Sequence, residues 1–94
     1  MVEIDEARHE VSYKGQLIPM EPKALKILTV LKKADGRVLT RKKILELAWG
    51  KRFVSWDPRI VTQHVARIRR QLKKFKAQGF LVTVSGSGYK FKRA

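Results

Sequence analysis

The residues of this chain whose types and spacing could do chemistry are concentrated between positions 59 and 76. This segment is rich in basic side chains, and no acidic side chain occurs in it. The basic residues are Arg59, Arg67, Arg69, Arg70, Lys73, Lys74 and Lys76. Gln63 and Arg67 lie one helical turn apart, with the small Ala66 between them. Arginine and glutamine pair with the edges of guanine and adenine, so the pattern predicts contacts with nucleic-acid bases.

A second set of side chains is suited to phosphate contacts. Thr40 and Arg41 would stand at the start of a helix, where hydroxyl, guanidinium and backbone N–H groups can hold one phosphate. Further candidates, all on one predicted helix, are Arg59, His64, Arg70 and Lys74. His64 lies beside the apolar face of that helix, so it is interpreted either as a packed side chain or as a phosphate contact, and not as a metal ligand or a catalyst.

Catalytic and metal-binding chemistry is disfavoured by the composition. The chain has no Cys and only two histidines, His9 and His64, which argues against a disulfide framework and a metal cluster. No Ser or Thr has a plausible His–Asp pairing, and no cofactor fingerprint is present. Gly86 and Gly88 form a lone Gly-x-Gly, which indicates turn glycines with positive φ rather than a phosphate loop. We therefore expect no enzymatic activity, no metal and no cofactor.

The elements that must position these side chains begin with two short helices. Pro22 is suited to the first turn of a helix, and the apolar spacing that follows stops at Asp35-Gly36. Thr40 is the predicted N-cap of a second helix, which ends at Gly50. The apolar face of that helix consists of Ile44, Leu45, Ala48 and Trp49.

The third predicted helix carries the basic segment. Asp57 and Pro58 supply an N-cap and a proline at the first helical position, and the helix runs to about Phe75. Apolar residues alternate in steps of four and three, so they form one stripe opposite the basic face. The stripe consists of Val61, Val65, Ile68, Leu72 and Phe75.

Short alternating runs at both ends of the chain predict strands. Residues 1–19 predict a small antiparallel sheet with a turn at Lys14-Gly15, and residues 80–92 predict a β-hairpin. Three helices over 22–76, the third one basic, followed by a hairpin, predict an α+β fold: a winged helix-turn-helix with an N-terminal antiparallel sheet. At this length we expect one domain over 1–94.

The charge is distributed unevenly along the chain. The 94 residues contain 22 Lys and Arg against 8 Asp and Glu, for a net charge of +14. Residues 1–36 are balanced, so residues 37–94 carry the whole excess. This asymmetry favours a polyanionic partner, nucleic acid before an anionic membrane, over a merely solvated basic face. No apolar run could span a membrane and the N-terminus is acidic, so we expect a cytoplasmic protein without a membrane partner.

In the order and spacing of its motifs, the chain resembles the OmpR/PhoB-type winged-helix DNA-binding (effector) domain of two-component response regulators. The resemblance covers nearly the whole sequence. It rests on MEP at 20–22, LKIL at 25–28, RVLTR at 37–41, WG at 49–50, RIVTQHV at 59–65, RIRRQL at 67–72 and TVSGSGYKF at 83–91.

The resemblance implies a transcription regulator that binds double-stranded DNA. In this family an N-terminal sheet has four strands, the third helix enters the major groove, and two copies usually bind in tandem. Base contacts then fall on Thr62, Gln63, Ala66 and Arg67. The wing near the minor groove consists of Ser85, Gly86, Ser87, Gly88, Tyr89 and Lys90. A loop that can contact RNA polymerase comprises Trp49, Lys51, Arg52, Phe53 and Trp56, although Phe53 and Trp56 could equally pack on the domain.

Departures from the family pattern concern the target sequence rather than the fold. Thr62 stands where an acidic residue is common, Ala66 where a basic one is, and Ser85 where the wing often has Arg. A minor-groove contact would then either pass to Lys90, Lys92 or Arg93 or be weak. The sequence leaves open whether the chain is a fragment without its receiver domain or a standalone regulator. The alternative function is a basic winged-helix module that binds proteins or RNA shape without a specific operator.

Overall fold

The N-terminal sheet is the first element of the computed structural model, which describes residues 2–53 and 55–92. Its strands β1 (Val2–Asp5), β2 (Glu10–Tyr13) and β3 (Gln16–Ile18) are antiparallel and lie in the order β1-β2-β3. The expected fourth strand is absent from the described residues, and that expectation was wrong. Pro19 follows β3 and Pro22 begins the next helix; neither has a backbone N–H to donate to a strand ladder.

The first two helices start and stop as predicted. Helix α1 (Pro22–Lys33) has proline in its first turn, and positive φ angles at Asp35 and Gly36 end it. In helix α2 (Arg41–Trp49), the Thr40 hydroxyl accepts the Lys43 backbone N–H at 3.0 Å, and Gly50 follows with φ 115°. Thr40 is therefore the N-cap that the sequence predicts.

Helix α3 (Arg59–Lys74) begins one residue later than predicted, so Pro58 rather than Asp57 occupies the N-cap position. The Asp57 carboxylate still accepts the Arg59 backbone N–H at 3.0 Å. A proline at the N-cap costs nothing here, since the N–H it lacks would have no partner inside the helix.

The core lies where the sheet, the helices and the hairpin meet. Four residues of the predicted α3 stripe are buried, while Phe75 at its end is half-buried. The buried residues of α3 are Val61, Val65, Ile68 and Leu72, and they share one cluster with Ile27, Leu28, Leu31, Ile44 and Leu45. Each such side chain stabilises the fold by about 1.5–3 kcal/mol. Burial of this stripe turns the basic face of α3 outward.

The C-terminal hairpin consists of β4 (Leu81–Val84) and β5 (Gly88–Phe91). Tyr89 exchanges two backbone hydrogen bonds with Leu39, just before α2, at 2.8 and 2.9 Å. Gly86 lies in the turn with φ 74°, as predicted. Gly88 belongs to β5 rather than to the tip, and a Cβ there would lie 2.0 Å from the Leu39 carbonyl oxygen. The wing is therefore docked against the segment that precedes α2.

In the described part of the chain, none of the helices combines the length and the apolar character needed to cross a membrane.

Candidate nucleic-acid interface

The outward face of α3 presents the predicted base-contacting residues to solvent. Thr62, Gln63, Ala66 and Arg67 are all exposed, as are Arg70 and Lys74 further along the helix. Within residues 2–53 and 55–92, no carboxylate forms an ion pair with Arg67, Arg70 or Lys74. The cations on this face are therefore uncompensated, as a surface that meets a polyanion requires.

A cleft beside this face brings together residues from three predicted sets. It has a volume of about 540 Å³ and lies between the start of α2, the start of α3 and the wing. Its lining includes Thr40, Arg41, Lys42, Thr62 and residues 86–89. The first N–H groups of α2 have no intrahelical partner, and with Arg41 and Lys42 they give the cleft a positive potential.

Thr62 links the walls of this cleft rather than standing free. Its hydroxyl oxygen accepts a hydrogen bond from Arg41 Nη1 at 3.3 Å, and the Tyr89 hydroxyl lies 3.5 Å away. The contact joins α2, α3 and the wing through one side chain. A base contact by Thr62 would therefore have to share this hydroxyl with two protein partners.

Arg59, a predicted phosphate contact, is held by Asp57 in the free protein. Asp57 Oδ2 lies 2.6 Å from Arg59 Nη2 and accepts from Nε at 2.7 Å. These bonds to the Arg59 guanidinium hold the pKa of the Asp57 carboxyl below its ordinary value and raise the pKa of Arg59. Both side chains are solvent-exposed. DNA phosphate would have to replace Asp57 as the partner of Arg59.

His64 is packed against Trp49. The two rings meet edge to face with centroids 5.2 Å apart, and His64 Nδ1 lies 2.9 Å from the Ile60 carbonyl oxygen. Because a carbonyl only accepts, Nδ1 carries the proton, and Nε2 of a neutral ring is then an acceptor. While this contact with Ile60 is kept, a neutral His64 ring has no second N–H to donate to a phosphate.

The sequence places Trp49 both on the apolar face of α2 and among the residues that contact RNA polymerase; the helical position is confirmed, and the polymerase contact stays a prediction. Trp49 is the last residue of α2, half-buried, with its ring 4.9 Å from the Lys23 ammonium group. Lys23 also donates to the Ala48 carbonyl at 3.1 Å, close to the negative end of α2. Trp49 is therefore packed between Lys23 of α1 and His64 of α3.

The remaining predicted loop residues form a small cluster of their own. Phe53 and Trp56 meet edge to face at 4.6 Å, and the Arg52 guanidinium lies 4.9 Å from the Phe53 ring. Phe53 is half-buried, whereas Trp56 is 45% exposed. Lys51 is exposed in the same 3₁₀ turn, Lys51–Phe53. Val54, inside this loop, lies outside the described residues, as does Arg93, the third candidate for a wing contact.

Arg69 has a role that the sequence reasoning missed. It counts among the basic residues of α3, yet it is half-buried and its guanidinium donates to the Leu81 carbonyl of β4. No pattern along the helix signals this contact, because its acceptor lies 12 positions further along the chain. Wing residues Ser85 and Ser87 are exposed at the turn, and Lys90 is half-buried on β5.

A helix-turn-helix with an added wing, whose third helix exposes a basic face, defines the winged-helix class of DNA-binding regulators. Residues 15–91 match the family described as "Transcriptional regulatory protein, C terminal". The chain belongs to this family. This membership confirms the resemblance to OmpR/PhoB-type effector domains, and the family is a class of transcription regulators rather than of enzymes.

Two curated relatives and one solved structure illustrate the similarity. The sensory transduction protein RegX3 of Mycolicibacterium smegmatis is 38% identical over 90 residues, which cover 95% of this chain and 39% of RegX3. The DNA-binding response regulator MtrA of Mycolicibacterium paratuberculosis is also 38% identical over 90 residues, covering 95% of this chain and 40% of MtrA. The chain thus spans about two fifths of the length of these relatives.

The solved structure is that of the response regulator AdeR DNA-binding domain in complex with an intercistronic region. It matches with a TM-score of 0.85 and 24% identity over 99% of this chain and 95% of that one. At this identity the match concerns the fold, and it confirms the predicted winged helix.

Proposed function

We propose that this chain is the DNA-binding effector domain of a response regulator and binds double-stranded DNA sequence-specifically to regulate transcription. The observation that carries the proposal is the exposed face of α3, where Gln63, Ala66 and Arg67 lie beside uncompensated cations. A helix of this kind fits the major groove, and the wing would then lie near the adjacent minor groove. The protein acts by binding, without catalysis, in the cytoplasm where its DNA is found.

The exposed residues divide by role. Gln63 and Arg67 contact base edges, with Ala66 allowing close approach and Thr62 at the rim of the cleft. Arg70 and Lys74 contact phosphates beyond these base-contacting residues. Thr40 and Arg41 contact a further phosphate at the start of α2. Arg59 joins them once it leaves Asp57.

The test of this function is selection of bound duplexes from a random DNA library, followed by footprinting on a selected site. We expect a common sequence to emerge and its footprint to survive excess nonspecific competitor. Enrichment without a common sequence, and a footprint lost to competitor, would instead support the alternative of a basic module without an operator. Two adjacent footprints in direct repeat would support tandem binding.

We propose further that the loop after α2 contacts RNA polymerase. The exposed Trp56, held against Phe53, supports this role, since an exposed aromatic side chain suits a protein interface. Trp56→Ala should weaken binding to purified RNA polymerase without changing DNA affinity. Equal polymerase binding by the variant and the parent would contradict the proposal.

A further inference from the structure

Several of the contacts that hold the wing to the helical body converge on one side chain of α3, that of Arg69. Arg69 Nη2 donates to the Leu81 carbonyl oxygen at 3.2 Å, Nε donates to the same oxygen at 3.4 Å, and Nη2 also donates to the Thr83 hydroxyl. Both acceptors belong to β4. The planar guanidinium suits this arrangement, because its N–H groups point in fixed directions.

The same guanidinium also contacts the second strand of the wing. It lies 5.7 Å from the ring centroid of Tyr89 on β5. Tyr89 is buried and joins its backbone to Leu39. Arg69 therefore touches both strands of the hairpin, and one of its contacts is to the residue that docks the wing on the start of α2.

We infer that Arg69 is a positioning residue. It sets the orientation of the wing relative to the base-contacting residues of α3, Gln63 and Arg67, and does not contact DNA. The inference rests on the proposed function. An isolated two-stranded hairpin is marginally stable in water, so the direction of β4-β5 depends on its contacts with the body. With the wing fixed, α3 and the wing tip meet the duplex as one preformed surface.

A matched pair of variants on α3 tests this role. Arg69→Gln and Arg70→Gln remove the same charge from adjacent residues, but only the first removes the wing contacts. In the free protein we expect Arg69→Gln to speed hydrogen exchange at the Leu39 and Tyr89 amides about tenfold or more, the order expected for loss of a charged hydrogen bond. Arg70→Gln should leave both exchange rates unchanged.

On a selected DNA site the two variants should fail differently. Arg69→Gln should lose hydroxyl-radical protection of the minor groove while protection of guanine N7 in the major groove remains. Arg70→Gln should reduce the log–log salt slope by about one while protection of the minor groove remains. Arg69→Lys keeps the positive charge but not the planar guanidinium group, so it should give intermediate exchange rates at the Leu39 and Tyr89 amides.

Unchanged exchange in Arg69→Gln would overturn the inference, as would a reduced salt slope with minor-groove protection intact. If Arg69→Gln fails to fold, Thr83→Val replaces an exposed acceptor only, and faster Tyr89 exchange is again the expected result. If the parent protein shows no specific footprint, the proposed function fails, and the exchange rates of the free protein still decide whether Arg69 anchors the wing.

Discussion

At the level of single residues, the basic side chains of α3 and its first turn fall into two groups. The first group is exposed, unpaired within the described residues and available to a polyanion; it consists of Arg67, Arg70, Lys73 and Lys74. Arg59 is bound to Asp57, and Arg69 is bound to the wing. Formal charge therefore overstates the number of cations that are ready to bind phosphate.

The division of the α3 residues into base contacts and phosphate contacts predicts that Arg67→Ala and Arg70→Ala have different effects on DNA binding. Loss of a base contact should cost roughly 1–3 kcal/mol of binding free energy and relax the preference at one base pair. Loss of a phosphate contact should weaken all sequences alike and reduce the salt slope by about one. Affinities for a selected site and its single-base variants at two salt concentrations measure both effects.

Thermal unfolding is the control for these two variants. Both side chains are exposed, so neither substitution should change the free energy of unfolding by more than about 0.5 kcal/mol. A uniform loss of affinity in Arg67→Ala across the single-base variants would show that Arg67 is not a base contact.

The Asp57–Arg59 pair predicts a variant with stronger DNA binding. Asp57→Asn removes the carboxylate that occupies Arg59, while the amide oxygen can still accept the Arg59 backbone N–H. At neutral pH we expect higher affinity for any duplex and a salt slope steeper by about one. Asp5→Asn in the N-terminal sheet, where Asp5 pairs with Arg8, makes the same charge change and serves as the control.

The pH dependence of this effect follows from the lowered pKa of Asp57. A carboxyl whose folded pKa lies below its unfolded value stabilises the fold above about pH 4, and this stability is lost as the pH falls through the folded pKa. Asp57 is therefore ionised at neutral pH, and the difference between Asp57→Asn and the parent should shrink only in acid. Equal salt slopes for the two proteins at neutral pH would show that Asp57 does not compete with DNA.

At the level of elements, the start of α2, the start of α3 and the wing are linked to one another by side-chain and backbone contacts. Thr62 receives a hydrogen bond from Arg41, Tyr89 pairs with Leu39, and Arg69 spans from α3 to β4. Each contact links two different elements. The relative placement of the helix-turn-helix and the wing is therefore determined by a few side chains and one glycine.

That glycine is Gly88, where the backbone of β5 approaches the segment before α2. Gly88→Ala would place a Cβ 2.0 Å from the Leu39 carbonyl oxygen, at a φ of 144° that disfavours alanine. We expect a loss of more than about 3 kcal/mol in the free energy of unfolding, measured by urea denaturation. Gly86→Ala is the control, because it meets open space and should cost only about 1–2 kcal/mol from its φ of 74°.

A smaller loss for Gly88→Ala than for Gly86→Ala would contradict the docked wing. A Cβ at position 88 cannot be accommodated by rotating a flexible side chain, because its three nearest atoms belong to the backbone of Leu39 and Thr40.

The helices could be predicted from the sequence because their signals are local. Pro22, Thr40 and Gly50 act on the backbone within one turn, and the α3 stripe repeats at helical spacing. The predicted start of α3 was one residue too early: the Asp57 carboxylate accepts the Arg59 N–H as predicted, but the helix itself begins at Arg59. The winged helix was also predicted from the family resemblance, which implied a fourth N-terminal strand that the described residues do not contain.

The contacts that arrange the candidate site could not be predicted in the same way. Lys23 reaches the end of α2, 25 positions away, and Gly88 is needed because of a carbonyl in another element. Such roles depend on distances that exist only after the elements have packed. The exposed positions of Gln63, Ala66 and Arg67 were predictable, because they follow from the apolar stripe on the other side of the same helix.

At the level of the whole molecule, the charge separates along the chain. Four of the eight acidic residues lie in β1, β2 and the turn between them, where Glu6 pairs with Lys33 of α1, while residues 37–94 carry the net charge of +14. An uncompensated excess of this size costs self-repulsion in the folded state and draws the basic side of the domain toward a polyanion. We also expect residues 1–94 to unfold in one cooperative transition, as a single domain does.

The most direct test of the central claim is the affinity for a selected site and for a scrambled duplex of the same length, each measured over a range of salt concentrations. If each copy neutralises roughly four to six phosphates, the log–log slope should be near −4 to −5 per copy. The selected site should bind at least about a thousandfold more tightly than the scrambled one. A slope near zero, or equal affinity for the two duplexes, would contradict sequence-specific DNA binding by this domain.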